Sequence, residues 1–368
     1  MPIFMDRHDV SENITAEKIA ELHQEDLKVQ RQFDCRGLTY WFDDKRKTAF
    51  CLIEAPDKNA IIDMHKKAHG DVPHSIIEVE PSIVESFLGR IEDPKRARDT
   101  GLNIINDPAF RTIMVISLNR LSLSVKESSS YKTSIAKFNS DIRKILKKFE
   151  GNIVKQTDYY YLVSFESVTK ATHAASDIQE LNKKFNKQNA KGKLNVKTGL
   201  STGVPVTQKQ MLFEDSIKLA ERMCDIVKGE VIVSHEVKEL YKSENANTFI
   251  KGKGICIISQ ADEKFITLLM DYTDAARSDS DLKVDNFSKP LGCSKSQFYR
   301  KMISLTGKSP NTFIQEYRLN DALKLLSKKA GNVSEIAFQA GFSSPSYFSK
   351  CFKKKYGLLP VGYLNSLQ

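Results

Sequence analysis

Five of the chain's seven histidines fall before residue 75: His8, His23, His65, His69 and His74. Such a concentration of imidazole nitrogen suits a divalent transition ion such as nickel or zinc, whereas magnesium prefers oxygen. His65 and His69 form an i, i+4 pair, which on a helix places both rings on one face, one turn apart, within reach of a shared cation. Two ligands do not complete a site, so His8 and His74 are the further candidates. His23 lies between Ile19 and Leu27 and reads as a histidine of an apolar helix face.

A second constellation lies at the other end. Leu291-Gly292-Cys293-Ser294 and Ala340-Gly341-Phe342-Ser343-Ser344 each set a glycine between two helix-like segments. The two passages then run in step at an offset of about fifty residues, the mark of an internal repeat: Ser294 matches Ser344, Phe298 matches Phe348, Gly307 matches Gly357 and Pro310 matches Pro360. In each copy a short helix (Val284 to Lys289; Val333 to Gln339) meets a glycine suited to positive φ, then a serine suited to capping a second helix. This is a helix-turn-helix pattern, twice. From residue 281 onward the net charge is +9 of the chain's formal +10, a phosphate-backbone footprint.

The run Ser334-Glu335-Ile336-Ala337, Ala340-Gly341-Phe342, Ser344, Ser346-Tyr347-Phe348-Ser349, Phe352-Lys353-Lys354, Gly357 and Pro360 closely resembles the signature of AraC-type transcription regulators. The resemblance covers about the last hundred residues. It implies two helix-turn-helix units joined by a long helix, here Pro310 to Ser327, with both recognition helices in successive major grooves of double-stranded DNA. The residues placed for contact are Lys295, Ser296, Tyr299 and Arg300 in the first unit and Ser344, Pro345, Ser346, Lys350 and Lys354 in the second. Arg300 has the planar fork suited to guanine, while Lys353, Lys354 and Lys355 suit phosphate. The first unit departs from the family pattern at Ser288 and Pro290.

The elements that must position the histidines read as βαββαβ: a strand at 2–7, a helix from Thr15 to Phe33, strands at 37–42 and 48–54, a helix from Asp57 to His69 and a strand at 75–80. That order is expected to give an α+β ferredoxin-like domain over residues 1–92. Pro2-Ile3-Phe4-Met5-Asp6-Arg7-His8, Leu38-Thr39-Tyr40-Trp41-Phe42-Asp43, Cys51-Leu52-Ile53-Glu54-Ala55-Pro56-Asp57 and Ala68-His69-Gly70 resemble a family of small nickel-binding proteins. The resemblance implies nickel, or another divalent transition metal, as ligand.

Residues 108–262 alternate strand and helix: a strand at 111–118, a Lys-rich helix at about 131–150, a hairpin within 153–165, a helix at 168–186, a strand at 196–203, a helix at 214–227 and a strand at 230–234. Gly199 and Gly203, Leu219-Ala220 with Arg222, and Gly229-Glu230-Val231-Ile232-Val233-Ser234 resemble class III nucleotide cyclases. Members of that family hold two metal ions with two carboxylates. Here the aligned positions are Ser117 and Tyr159, so the resemblance implies a degenerate, non-catalytic α/β domain in which Lys155 and Arg222 are vestigial nucleotide-site residues. Asp158 adjoins Tyr159, but a one-residue slip in a hairpin turns a side chain to the other face.

The chain is thus expected to be multidomain, with an all-α DNA-binding domain at 265–368 and a polar linker near 262–280. The six cysteines lack CxxC spacing and indicate neither a disulfide framework nor a zinc ribbon. No signal peptide or membrane span is apparent. A cytoplasmic, homodimeric, one-component regulator answering to a metal or small-molecule effector follows. The alternatives are a purine nucleotide cyclase with relocated metal ligands, or a nickel-buffering protein.

Overall fold

The computed structural model describes residues 1–94, 102–120, 129–189, 192–246, 248 and 254–366. The amino-terminal unit comprises β1 (Ile3–Asp9), α1 (Ala16–Val29) continued by a 3₁₀ turn (Gln30–Phe33), β2 (Arg36–Asp43), β3 (Thr48–Glu54), α2 (Lys58–Ala68), β4 (Ser75–Val79) and α3 (Pro81–Leu88). Its four strands are antiparallel in the order β2-β3-β1-β4. Thr15 caps α1 and Asp57 caps α2, each accepting backbone N–H groups of the first turn.

Strand alternation gives this sheet two different faces. Phe4, Tyr40, Phe42 and Ile53 pack toward α1 and α2, whereas Met5, Trp41, Phe50 and Leu52 join a core that continues into the rest of the molecule. Asp6 and His8 share the parity of Phe4. Arg7 has the opposite parity, and its guanidinium donates to the Val206 carbonyl at 3.3 Å.

The middle unit comprises β5 (Arg111–Arg120), α4 (Ser129–Lys148), β6 (Asn152–Thr157), β7 (Tyr160–Phe165), α5 (Val168–Gln188), β8 (Leu194–Gly203), α6 (Glu214–Ile226), β9 (Val231–Val233), α7 (His235–Glu244) and β10 (Ile255–Ile257). The six strands run β10-β9-β8-β5-β7-β6, parallel from β10 to β8 and antiparallel beyond. Helices α4, α5 and α7 cover one face. The other face packs against α6 and the shared core. A side chain at Gly199 would overlap the Ala220 carbonyl, and one at Gly203 would meet Ser216, so the two glycines let α6 lie close on β8.

Helix α3 is an element beyond those expected from the sequence. It closes on Gly89 at φ 82°, and its last carbonyls are taken up by the middle unit. Arg111, 2% exposed, donates to Phe87 O at 3.2 Å, and Ser164 donates to the same oxygen at 2.9 Å. A buried guanidinium at a helix carboxy terminus satisfies orphan carbonyls and complements the helix dipole.

The expected polar linker is also a correction. Gln260–Ala275 forms a further helix, α8, opened by a capping box between Ser259 and Asp262 and burying Ile266, Leu269, Met270 and Thr273. Only the part after Ala275 is non-helical, and it too is held: Arg277 bonds Asp321 at 2.8 Å, and Arg318 donates to Asp279 O at 2.7 Å. The polar residues singled out in 274–281 face outward or across to the next helices, while the apolar stripe lies just before them.

The carboxy-terminal unit comprises a 3₁₀ turn (Val284–Phe287), α9 (Lys295–Thr306), α10 (Pro310–Ser327), α11 (Val333–Gln339), α12 (Pro345–Tyr356) and α13 (Pro360–Ser366). The leading segment of the first unit is therefore a single 3₁₀ turn, shorter than the helix expected to Lys289, consistent with Pro290 lacking an N–H to continue it. Gly292 (φ 59°) and Gly341 (φ 80°) supply the two turns. Phe287 stacks on Phe298 with ring centres 5.2 Å apart, tying the first unit together. Phe313 and Ile314 of α10 belong to the first unit's core, and Leu319, Ala322 and Leu326 to the second's, so one helix joins both. No helix among the described residues is long and apolar enough to cross a membrane.

Candidate nucleic-acid interface and metal centre

Each second helix of the repeat is built to present its amino terminus. Ser294 caps α9 in a capping box with Gln297, and Ser344 caps α12 ahead of Pro345 at the first helical position. Phe298, Met302, Phe348 and Phe352 are fully buried and anchor the inner faces. Lys295, Ser296, Tyr299 and Arg300 are exposed on α9, and Ser346, Lys350 and Lys354 on α12, with Ser344 and Pro345 half-buried at its start. Lys295 pairs with Asp285 at 2.6 Å, while Arg300 is solvent-facing.

Lys355 differs from its neighbours Lys353 and Lys354. Its ammonium turns inward to Asn320 Oδ1 (2.7 Å) and the Glu316 carbonyl (3.4 Å), and burial pulls it down to about 8. It is a packing residue of α10 and α12, not a phosphate contact. Tyr347, absent from the expected contact residues, is 52% exposed, its hydroxyl accepting from Gln315 at 2.8 Å.

At the other end the fold brings His8, His65 and His69 together, with three groups that histidine counting missed: Asp6, Asp26 and Cys51. His65, 1% exposed, lies between two carboxylates, Nε2 at 2.9 Å from Asp6 and Nδ1 at 3.0 Å from Asp26. His69 Nε2 lies 3.2 Å from Asp26 Oδ1 and 3.3 Å from His65 Nδ1. Burial alone would depress the His65 imidazolium, but its bonds to Asp26 and Asp6 override that and raise it to about 10. Burial would likewise raise Asp6 and Asp26, yet the facing imidazoles hold both below the usual carboxylate range.

The donor set fits a transition ion. Asp26 Oδ1, His65 Nδ1 and His69 Nε2 are mutually 3.0–3.3 Å apart, as are neighbouring ligands around one ion with bonds of about 2.1 Å. His74 is a correction: it is exposed, and its Nδ1 accepts the Asp9 N–H at 3.2 Å instead of joining the cluster. His23 is 5% exposed against the Tyr40 ring, as the apolar face implied.

In the middle unit Ser117 pairs with Tyr160 across β5 and β7, and Leu118 N–H donates to the Tyr159 carbonyl at 2.9 Å. The two aligned positions are thus near each other. Neither carries a carboxylate, and Asp158 is exposed. Lys155 is exposed on the edge strand β6. Arg222 is a correction: its guanidinium bonds Asp271 and donates to Thr267 O at 3.3 Å, so it joins α6 to α8.

Residues 287–366 match the family model described as a helix-turn-helix domain, and residues 4–79 match one described as nickel responsive protein SCO4226-like. The carboxy-terminal segment is an AraC-type helix-turn-helix domain. A protein named histidine kinase P4 of Formosa agariphila is 39% identical over 108 residues, covering 29% of this chain and 8% of that protein. The HTH-type transcriptional regulator MtrA of Neisseria gonorrhoeae is 31% identical over 87 residues, 24% of this chain and 29% of that protein. The chain therefore spans less than a third of the length of these curated relatives. Among solved structures, that of SCO4226 from Streptomyces coelicolor is 32% identical and covers 21% of this chain and 94% of that one, with a TM-score of 0.20.

Proposed function

We propose that this chain is a sequence-specific, DNA-binding transcription regulator of the AraC type whose amino-terminal domain answers to nickel or a similar transition ion. The observation that carries it is the pair of Ser-capped helices, α9 and α12, each with an apolar side locked in a core and a basic, polar side open to solvent. Such helices read base edges while surrounding lysines hold phosphate. On this reading Arg300 reads guanine, Lys350 discriminates more weakly for want of a planar fork, and Lys354 contacts phosphate.

In the same reading residues 1–92 form a ferredoxin-like sensor, supported by the antiparallel β2-β3-β1-β4 order. Asp26, His65 and His69 would hold the ion, with Asp6 orienting His65. The ion's role is that of an effector, supplying a charge that replaces the proton on His65. Residues 108–262 form a degenerate cyclase-like scaffold without catalysis, supported by Ser117 and Tyr159 standing where carboxylates would be needed. A homodimer acting in the cytoplasm completes the proposal.

Selecting from random double-stranded DNA with the full chain tests it. Enrichment of a motif with contacts in two adjacent major-groove segments, about 10 base pairs apart, is expected. Binding without any preferred motif would refute sequence-specific regulation. Formation of cyclic AMP or cyclic GMP from ATP or GTP with Mn²⁺ would favour the cyclase alternative.

A further inference from the structure

Asp6, His8 and Cys51 form a second group of donors beside the first, their ligand atoms all within 4.8 Å of one another. Asp6 and His8 point from one face of β1, two residues apart. The register on either side, Met5 with Leu52 and His8 with Ala49, sets Asp6 opposite Cys51 on β3. Asp6 is fully buried, and its Oδ1 accepts the Cys51 N–H at 2.9 Å, which fixes the carboxylate beside the thiol. His8 Nε2 is the unsatisfied member: the nitrogen is buried, 3.5 Å from Asp6 Oδ1, and has no hydrogen-bond partner. A buried imidazole nitrogen that makes no hydrogen bond, beside a carboxylate 3.5 Å away and a thiol, points to a ligand that accepts its lone pair.

We propose that Asp6, His8 and Cys51 form a second cation site, distinct from Asp26, His65 and His69, that takes a thiophilic divalent transition ion. Oxygen, nitrogen and sulfur donors together exclude magnesium and calcium and suit nickel, cobalt or zinc. Cys51 binds as thiolate, its proton passing to solvent as the metal–sulfur bond forms. His65 stands between the two sites, Nδ1 toward the first and Nε2 toward Asp6 of the second, so occupancy of one alters the hydrogen bonding of the other. The proposal rests on the reading of this domain as cation-binding, and it adds a site that neither the histidine pattern nor the spacing of cysteines disclosed.

Cobalt(II) chloride titrated into the metal-free full chain provides the test, with bound ions counted after equilibrium dialysis and the near-ultraviolet spectrum recorded. Two ions per chain and a sulfur-to-cobalt charge-transfer band are expected. Cys51→Ser should keep one ion and lose the band; His69→Ala should lose one ion and keep the band. Should Cys51→Ser fail to fold by circular dichroism, His8→Asn takes its place, with loss of one ion expected. One ion per chain in the wild type, unaffected by Cys51→Ser but lost in His65→Ala/His69→Ala, overturns the second site and leaves the metal-responsive reading standing. A band that survives Cys51→Ser overturns it too. Absence of any bound cobalt, nickel or zinc overturns both.

Discussion

Arg300 and Lys354 are both exposed and both basic, yet the proposed function gives them different tasks. Arg300 lies on α9 beyond the capped amino terminus, while Lys354 lies in the last turn of α12. Arg300→Ala should cost about 1–3 kcal/mol in operator binding and relax preference at one or two base pairs. Lys354→Ala should weaken all sequences alike and reduce the salt slope by about one. Equal loss on operator and random DNA for both variants, measured by anisotropy across a salt series, would remove the distinction.

Lys355 makes a separate prediction about pH. Its ammonium is held at about 8 against an ordinary 10.5 because it is buried between α10 and α12. A lysine depressed in this way penalises the folded state while charged, so the penalty is fully present below the folded value and lifts as pH rises toward the unfolded one. Lys355→Met keeps the stem's packing and removes the charge. The variant should therefore be more stable than wild type at pH 7, by on the order of 1–2 kcal/mol, and the gain should fade by pH 10.5. Melting curves at both pH values check this, and a gain independent of pH would contradict it.

Helix α8 is the element whose role most needs a direct test, because its polar end reads as linker while its apolar stripe is a joint. Leu269 is fully buried in the core that α8 shares with α6 and the first helix-turn-helix unit, whereas Leu268 beside it is 49% exposed. Leu269→Ala should cost about 2–5 kcal/mol in urea unfolding and Leu268→Ala less than about 0.5. Similar effects from both would return α8 to a loosely held linker.

The elements divide by how local their signals are. Helices α9 and α12, the long α10 and the βαββαβ order were legible, because caps, glycine turns and alternation act within a few residues. Helix α3 carried its own signals, Pro81 at the start and Gly89 at the end, with Ile83, Val84, Phe87 and Leu88 between, yet its eight residues fall between stronger elements. The Asp–His–Cys cluster was only half legible. The His65–His69 spacing is a helical fact, but Asp6 and Cys51 meet through strand register and Asp26 through helix packing, and no local pattern discloses either. The structural role of Arg222 is hidden from sequence for the same reason: its partners Asp271 and Thr267 lie on a helix 45 or more residues away.

At the scale of the whole molecule, one apolar core runs from Met5 and Trp41 through α3 and α6 to α8, Phe287 and Phe298. The sheet face opposite the Asp–His–Cys cluster and helix α9 therefore belong to one core, the packing through which the proposed coupling of ion to DNA would run. Trp41, the chain's single tryptophan, is fully buried at the sheet's inner face with Arg90 4.4 Å over its ring. Its fluorescence change in urea should coincide with the loss of helical circular dichroism. Two separated transitions would show the amino-terminal unit unfolding independently of the carboxy-terminal one.

On the proposed function, ion binding at Asp26, His65 and His69 changes how α9 and α12 engage DNA. The direct measurement is fluorescence anisotropy of the full chain on its selected operator, with and without nickel, for wild type and for His65→Ala/His69→Ala. Coupling between two such sites is typically about 1–3 kcal/mol, or roughly 5- to 150-fold in affinity. Nickel should shift the wild-type affinity within that range and leave the double variant unmoved. An operator affinity that ignores nickel in the wild type, or shifts equally in both proteins, would contradict the claim.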